Sequence, residues 1–161
     1  MKIGVLSDTH IPERALQLPE EISHIFKGVD LIIHAGDLVS LDVIRELKKI
    51  APVKAVCGNM DPADARATLP KKEVITAGKF KIGVFHGKGA PERILTQAKE
   101  VFNEKLDVII FGHSHAALCE KQKGTLFFNP GSPTDTIFAP FRSVGILEIN
   151  DEIKGTIVKL P

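Results

Sequence analysis

Tryptophan and tyrosine are absent from this 161-residue chain, and its aromatic residues are nine phenylalanines. Platforms for stacking nucleobases are therefore not evident. Cysteine is almost absent as well. Cys57 and Cys119 lie far apart without Cys-x-x-Cys spacing, which suits free thiols in a reducing compartment better than a disulfide framework, and both read as small core residues. No charge sign dominates: 21 basic side chains face 20 acidic ones, for a net charge of +1. Such a balance gives no global field for nucleic acid or an anionic membrane. No apolar run approaches the roughly 20 residues of a membrane span, and the N-terminus enters a strand-like run at once. These absences predict a cytoplasmic protein with no membrane partner and no nucleic-acid partner, organised as one domain over residues 1–161.

What is present is concentrated in five short blocks. Asp8-Thr9-His10, Gly36-Asp37, Gly58-Asn59, His86-Gly87 and Gly112-His113-Ser114-His115 each follow an apolar run: 2–6, 30–34, 53–57, 81–85 and 107–111. The runs are β-branched and nearly uninterrupted, as strands buried on both faces are. In open α/β sheets ligands gather beyond the carboxyl ends of strands, so the five blocks are expected to meet on one rim.

Helix-like spacing over 18–26, with Pro19 near its first turn and Gly28 as a stop, and over 41–50, with Ser40 as N-cap and Pro52 beyond, gives two crossover helices. A hairpin follows over 73–76 and 80–85, then a third helix over 91–104. Beyond it, alternating runs at 118–121, 125–128, 143–149 and 154–159 predict an antiparallel meander. The resulting architecture is α/β, two sheets packed together with helices outside. The longest loop, 129–142, is a candidate for function.

Asp8, His10, Asp37, His86, His113 and His115 offer imidazole or carboxylate, and Asn59 adds an amide oxygen. A mixed nitrogen and oxygen set suits manganese, iron, cobalt, nickel or zinc. A two-metal site needs a carboxylate between ions about 3.5–4 Å apart, and Asp37, alone in its block, is the natural bridge. Two divalent ions, two aspartates and a bridging hydroxide leave a centre of about +1, which prefers an anion and fits in-line displacement at phosphorus.

As a set, Asp-x-His, Gly-Asp, Gly-Asn-x-Asp, His-Gly and Gly-His-Ser-His resemble the calcineurin-like metallophosphoesterases. The short chain with Asn129-Pro130-Gly131-Ser132 is similar to their small YfcE-type phosphodiesterase branch. The resemblance covers nearly the whole chain. It implies a four-layer αββα sandwich of two mixed sheets, with Asp8, His10, Asp37 and His115 around one metal and Asp37, Asn59, His86 and His113 around the other. It also implies manganese or a similar ion, and a homo-oligomer. The larger phosphatases of that superfamily carry histidine after Gly-Asn, where this chain has Met60, and a thioether donates no proton. The expected function is therefore a phosphodiesterase acting on a small diester with a metal-bridging hydroxide as nucleophile and Asp37, Asn59 and His86 as catalytic residues. The alternatives are a phosphomonoesterase and a non-catalytic scaffold resembling Vps29.

The remaining candidates divide more evenly. His34, three residues before Asp37, either orients a ligand, touches substrate or is satisfied in the core. Asn129 and Ser132 form a turn by composition, which the resemblance places at the site. Arg142 is either a surface charge or a phosphate clamp. Asp61 before Pro62 reads as a helix N-cap, with support of the ligands from behind as the second reading, and His24 reads as an ordinary helix residue.

Overall fold

The apolar runs form strands whose alternate side chains enter different layers. A computed structural model describes residues 1–161. It contains strands β1 (Lys2–Leu6), β2 (Leu31–His34), β3 (Val53–Ala55), β4 (Lys72–Ala77), β5 (Phe80–Phe85), β6 (Val108–Ile110), β7 (Leu118–Gln122), β8 (Thr125–Asn129), β9 (Ser143–Ile149) and β10 (Ile153–Lys159). Helices α1 (Glu21–Ile25), α2 (Asp42–Leu47), α3 (Ala63–Thr68) and α4 (Ile94–Glu100) connect them. The first sheet has the order β10-β9-β1-β2-β3 and the second β4-β5-β6-β8-β7. Both are mixed: β1, β2 and β3 run parallel with β9 antiparallel to β1, and β5, β6 and β8 run parallel between antiparallel edges.

Period-two alternation builds the layers. Ile33, Val108, Ile110, Leu126 and Phe128 point between the sheets into a core shared with Ile3, Val5, Ile82 and Leu147. Their neighbours point outward: Ile32 packs under Phe26, Val43 and Leu47 of the α1 and α2 layer, while Ile109 and Phe127 pack under Ile94 and Ala98 of α4. The result is a four-layer αββα sandwich. No helix is long and apolar enough to cross a membrane.

Several elements differ from the sequence reading, among them the second helix, which spans only Asp42–Leu47. The first helix is shorter, because the amides of Ile22 and Ser23 bond back only three residues, to Pro19 and Glu20, and Gly28 takes φ +75° after it. The third helix stops at Glu100, and Phe102 beyond it packs edge-on against Phe85. The C-terminal strands are not one meander. They are two hairpins, β7-β8 and β9-β10, in different sheets. The segment 130–142 that switches sheets passes the end of β1, where Ser132 and Thr134 bond the carbonyls of Asp8 and Thr9. Cys57 is buried as expected, whereas Cys119 on β7 is exposed.

Candidate metal centre

All five blocks converge at the carboxyl ends of β1, β2, β3, β5 and β6. Two groups of potential ligand atoms form there, Asp8 with His10 and His115, and Asp37 with His86 and His113. Asp37 Oδ2 lies 3.1 Å from His86 Nε2 and 3.6 Å from His10 Nε2, so it touches a member of each group. Its Oδ1 is occupied, accepting the Met60 amide at 2.8 Å. Asp8 Oδ1 lies 3.2 Å from His115 Nε2 and 3.7 Å from His86 Nε2. Asn59 Oδ1 is 2.9 Å from His113 Nδ1.

The backbone is strained where these side chains leave it. Asp8, His10, Asp37, His113 and His115 all have φ between 42° and 69°, a left-handed conformation. Each such residue costs roughly 1–3 kcal/mol and persists only where surrounding structure enforces it, a pattern that clusters at functional sites. Two glycines keep room for the ligands: a Cβ on Gly58 would fall 2.0 Å from Asp37 Oδ1, and one on Gly112 would fall 2.7 Å from Asp8 Oδ2.

Several buried side chains hold this geometry. Asp61 does not cap α3, whose N-cap is Pro62. Its carboxylate instead accepts the amides of Asp37 (3.0 Å), Gly58 (2.7 Å) and Val39 (2.7 Å), tying two of the five blocks together. Asn129 donates to Gly112 O and Ser114 Oγ, bracing the His113–His115 turn. Ser132 Oγ donates to Asp8 O at 2.7 Å. Asn129 and Ser132 are fully buried, so the substrate contact expected of both is corrected to support of the ligand loops. His34 is corrected likewise. It is buried, Nδ1 accepts the Gly36 amide, Nε2 faces Thr9 Oγ1, and burial pushes it down to about 3, so it stays neutral. Arg142 is not brought to the cluster. Its guanidinium donates to the carbonyl of Pro161.

Asp135 was missed by sequence reasoning. It hydrogen-bonds His115 Nδ1 and accepts the amides of Ile137 and Phe138. The signal was weak, an aspartate within a long loop, and only the sheet-switching path carries it to His115. Asp135 fixes which His115 nitrogen faces Asp8. Asp135→Asn is expected to weaken metal affinity 10- to 100-fold, read as a shift in the metal concentration that half-saturates calorimetric binding.

Electrostatics define what fits here. His86 Nδ1–H donates to Ala35 O at 2.7 Å, which aims Nε2 at Asp37 and Asp8. That Nε2 is buried with no hydrogen-bond partner. His113 shows the same logic: Nε2–H donates to Gly89 O, leaving Nδ1 facing the Asn59 oxygen. Acceptors facing acceptors in a buried site require a positive charge between them, a proton in the metal-free protein or a metal ion in its place. Burial works against a charged His86, but Asp8 and Asp37 outweigh it and push it up to about 9. Burial likewise opposes ionised Asp8, and His86, His10 and His115 hold it well below the usual carboxylate range. The donor set fits divalent ions of the manganese-to-zinc series.

Manganese at a hundred times its dissociation constant is expected to add ~2.7 kcal/mol, a rise of about 5–10 °C in Tm for a chain of this size. The rise shrinks as pH falls, because the His86 proton and the metal compete for one lone pair. A thermal scan with and without chelator checks this, and an unchanged Tm with manganese, nickel and zinc contradicts it.

Residues 1–152 match the calcineurin-like phosphoesterase superfamily domain. A probable metallophosphoesterase of Methanocaldococcus jannaschii is 37% identical over 165 residues, covering 99% of this chain and 82% of the relative. A novel archaeal phosphodiesterase of known structure has a TM-score of 0.75 at 27% identity, over 98% of this chain and all of its own. Vps29 from Entamoeba histolytica, solved with zinc, has a TM-score of 0.76 at 27% identity, over 99% of both chains.

Proposed function

This chain belongs to the calcineurin-like phosphoesterase superfamily, and from that premise we propose that it hydrolyses small phosphodiesters with two divalent metal ions, manganese foremost. The observation that carries the reading is the orphaned His86 Nε2 between Asp37 and Asp8, where two ligand groups meet. Bound divalent ions supply Lewis acidity toward a phosphoryl oxygen and an activated water near neutral pH. The chain's own residues do the rest. When ions are bound, Asp8, His10 and His115 would hold one and Asn59, His86 and His113 the other, and Asp37 Oδ2 lies within reach of both groups. Nickel, cobalt, iron and zinc suit the same donors.

A preference for good leaving groups rests on Met60. Its amide holds Asp37, and its exposed side chain stands beside the site without a proton to give a leaving alkoxide. Esters with good leaving groups are therefore favoured over esters of poor alkoxides. The likeness to the archaeal phosphodiesterase supports the choice of diester over monoester.

A second reading, a non-catalytic scaffold, is favoured by the likeness to Vps29 and by the exposed Ile137 and Phe138 beside Asp135. An aryl diester and its matching monoester, assayed with manganese, nickel, cobalt and zinc, separate the readings. Faster turnover of the diester supports the proposal. Preference for the monoester replaces it with a phosphomonoesterase, and bound metal with neither ester cleaved leaves the scaffold.

A further inference from the structure

A cleft of about 670 Å³ opens onto the centre along Asn59 and His86, a volume suited to a whole small ligand rather than a single phosphate. Its walls carry four cations, Arg66, Lys71, Lys72 and Lys88, against one acid, Glu100. In a chain of net charge +1 this is a strong local bias. Arg45, Lys49, Lys54 and Lys81 all pair with carboxylates. Arg66, Lys71 and Lys88 form no ion pair, and Lys72 is held at the rim by its bond to Val101 O. Lys88 is positioned as well, since the Gln97 side chain bonds both its amide and its carbonyl. Phe85, Val101 and Cys57 add an apolar part to the lining.

Unpaired cations around a cleft continuous with a phosphorus-directed centre concentrate anions there. Resting on the phosphodiesterase reading, we propose that this cleft binds a second anionic group of the substrate. The substrate class is then a small phosphodiester whose arm on the Asn59 and His86 side bears a further phosphate. Arg66 and Lys71 supply its specificity. Arginine offers a forked donor set for phosphate oxygens and lysine a point charge.

Two dinucleotides sharing one scissile diester test this: ApA, and pApA, which adds a 5′-phosphate. The expected KM for pApA is about fivefold below that for ApA, the scale of two exposed ion pairs, and the ratio falls to near one in the R66Q/K71Q double variant. Because the ratio is taken within each protein, a partly misfolded variant does not mimic the result. Equal KM values in the unaltered chain, or an unchanged ratio in the double variant, overturn the proposal. If neither dinucleotide is cleaved, as a poor ribose alkoxide leaving group permits, the aryl diester assay judges the diesterase reading separately, and equilibrium binding to chelator-treated protein judges the cleft. Tighter binding of pApA, lost in R66Q/K71Q, supports it, and equal binding of pApA and ApA overturns it.

Discussion

Asp37→Asn lowers phosphodiester hydrolysis by about 10³-fold or more and lowers metal content with it. The substitution preserves shape and removes the charge. Asp37 Oδ1 accepts the Met60 amide, and Oδ2 alone lies within reach of both His86 and His10. A neutral amide there either presents a nitrogen to those imidazoles or withdraws the acceptor from Met60. In both cases the two ligand groups lose the carboxylate they share. Elemental analysis of the purified variant, beside its rate, is the decisive pair of measurements. A D37N protein that keeps its metal and its rate would refute the bridging role.

Asp61→Ala destabilises the fold by about 3 kcal/mol or more, because three amides that now bond one buried carboxylate are left without a partner, at roughly 1–3 kcal/mol each. Loss of an ordinary helix cap costs only about 1 kcal/mol, so denaturant unfolding distinguishes the two roles. The loss extends to function. The Asp61 carboxylate holds the amides of Asp37 and Val39, which take φ of 55° and 71°. Val39 is β-branched and resists that conformation, so releasing the pair lets the turn relax and moves Asp37. Asp61→Asn keeps one acceptor oxygen and falls between Ala and the unaltered chain. An Asp61→Ala loss of only about 1 kcal/mol returns Asp61 to the capping role.

The parts of this site that were legible in the sequence are those at strand ends. Asp8, His10, Asp37, Asn59, His86, His113 and His115 each follow an apolar run; parallel strands gather such positions within each sheet, and the packing of the two sheets joins the two sets. Residues that support them from loops were misread, because loop paths have no periodicity. Asp61 beside Pro62 has the local signature of a cap, and only the three-dimensional approach of β2 and β3 sends its carboxylate elsewhere. Asn129 ends β8, and Ser132 and Asp135 lie on the segment after it that switches sheets, a connection hidden by four C-terminal strands with the same alternating pattern. His34 is the converse. Its proximity to Asp37 in sequence suggested the site, but it belongs to β2 and is satisfied within the core.

Manganese titration of chelator-treated protein, with bound metal and aryl diester hydrolysis followed in the same samples, tests the central claim most directly. Two facing ligand groups predict no hydrolysis without metal and a rate that climbs to its plateau as occupancy reaches two ions per chain. Full hydrolysis by metal-free protein, or two bound ions with no diester cleaved, would contradict the account.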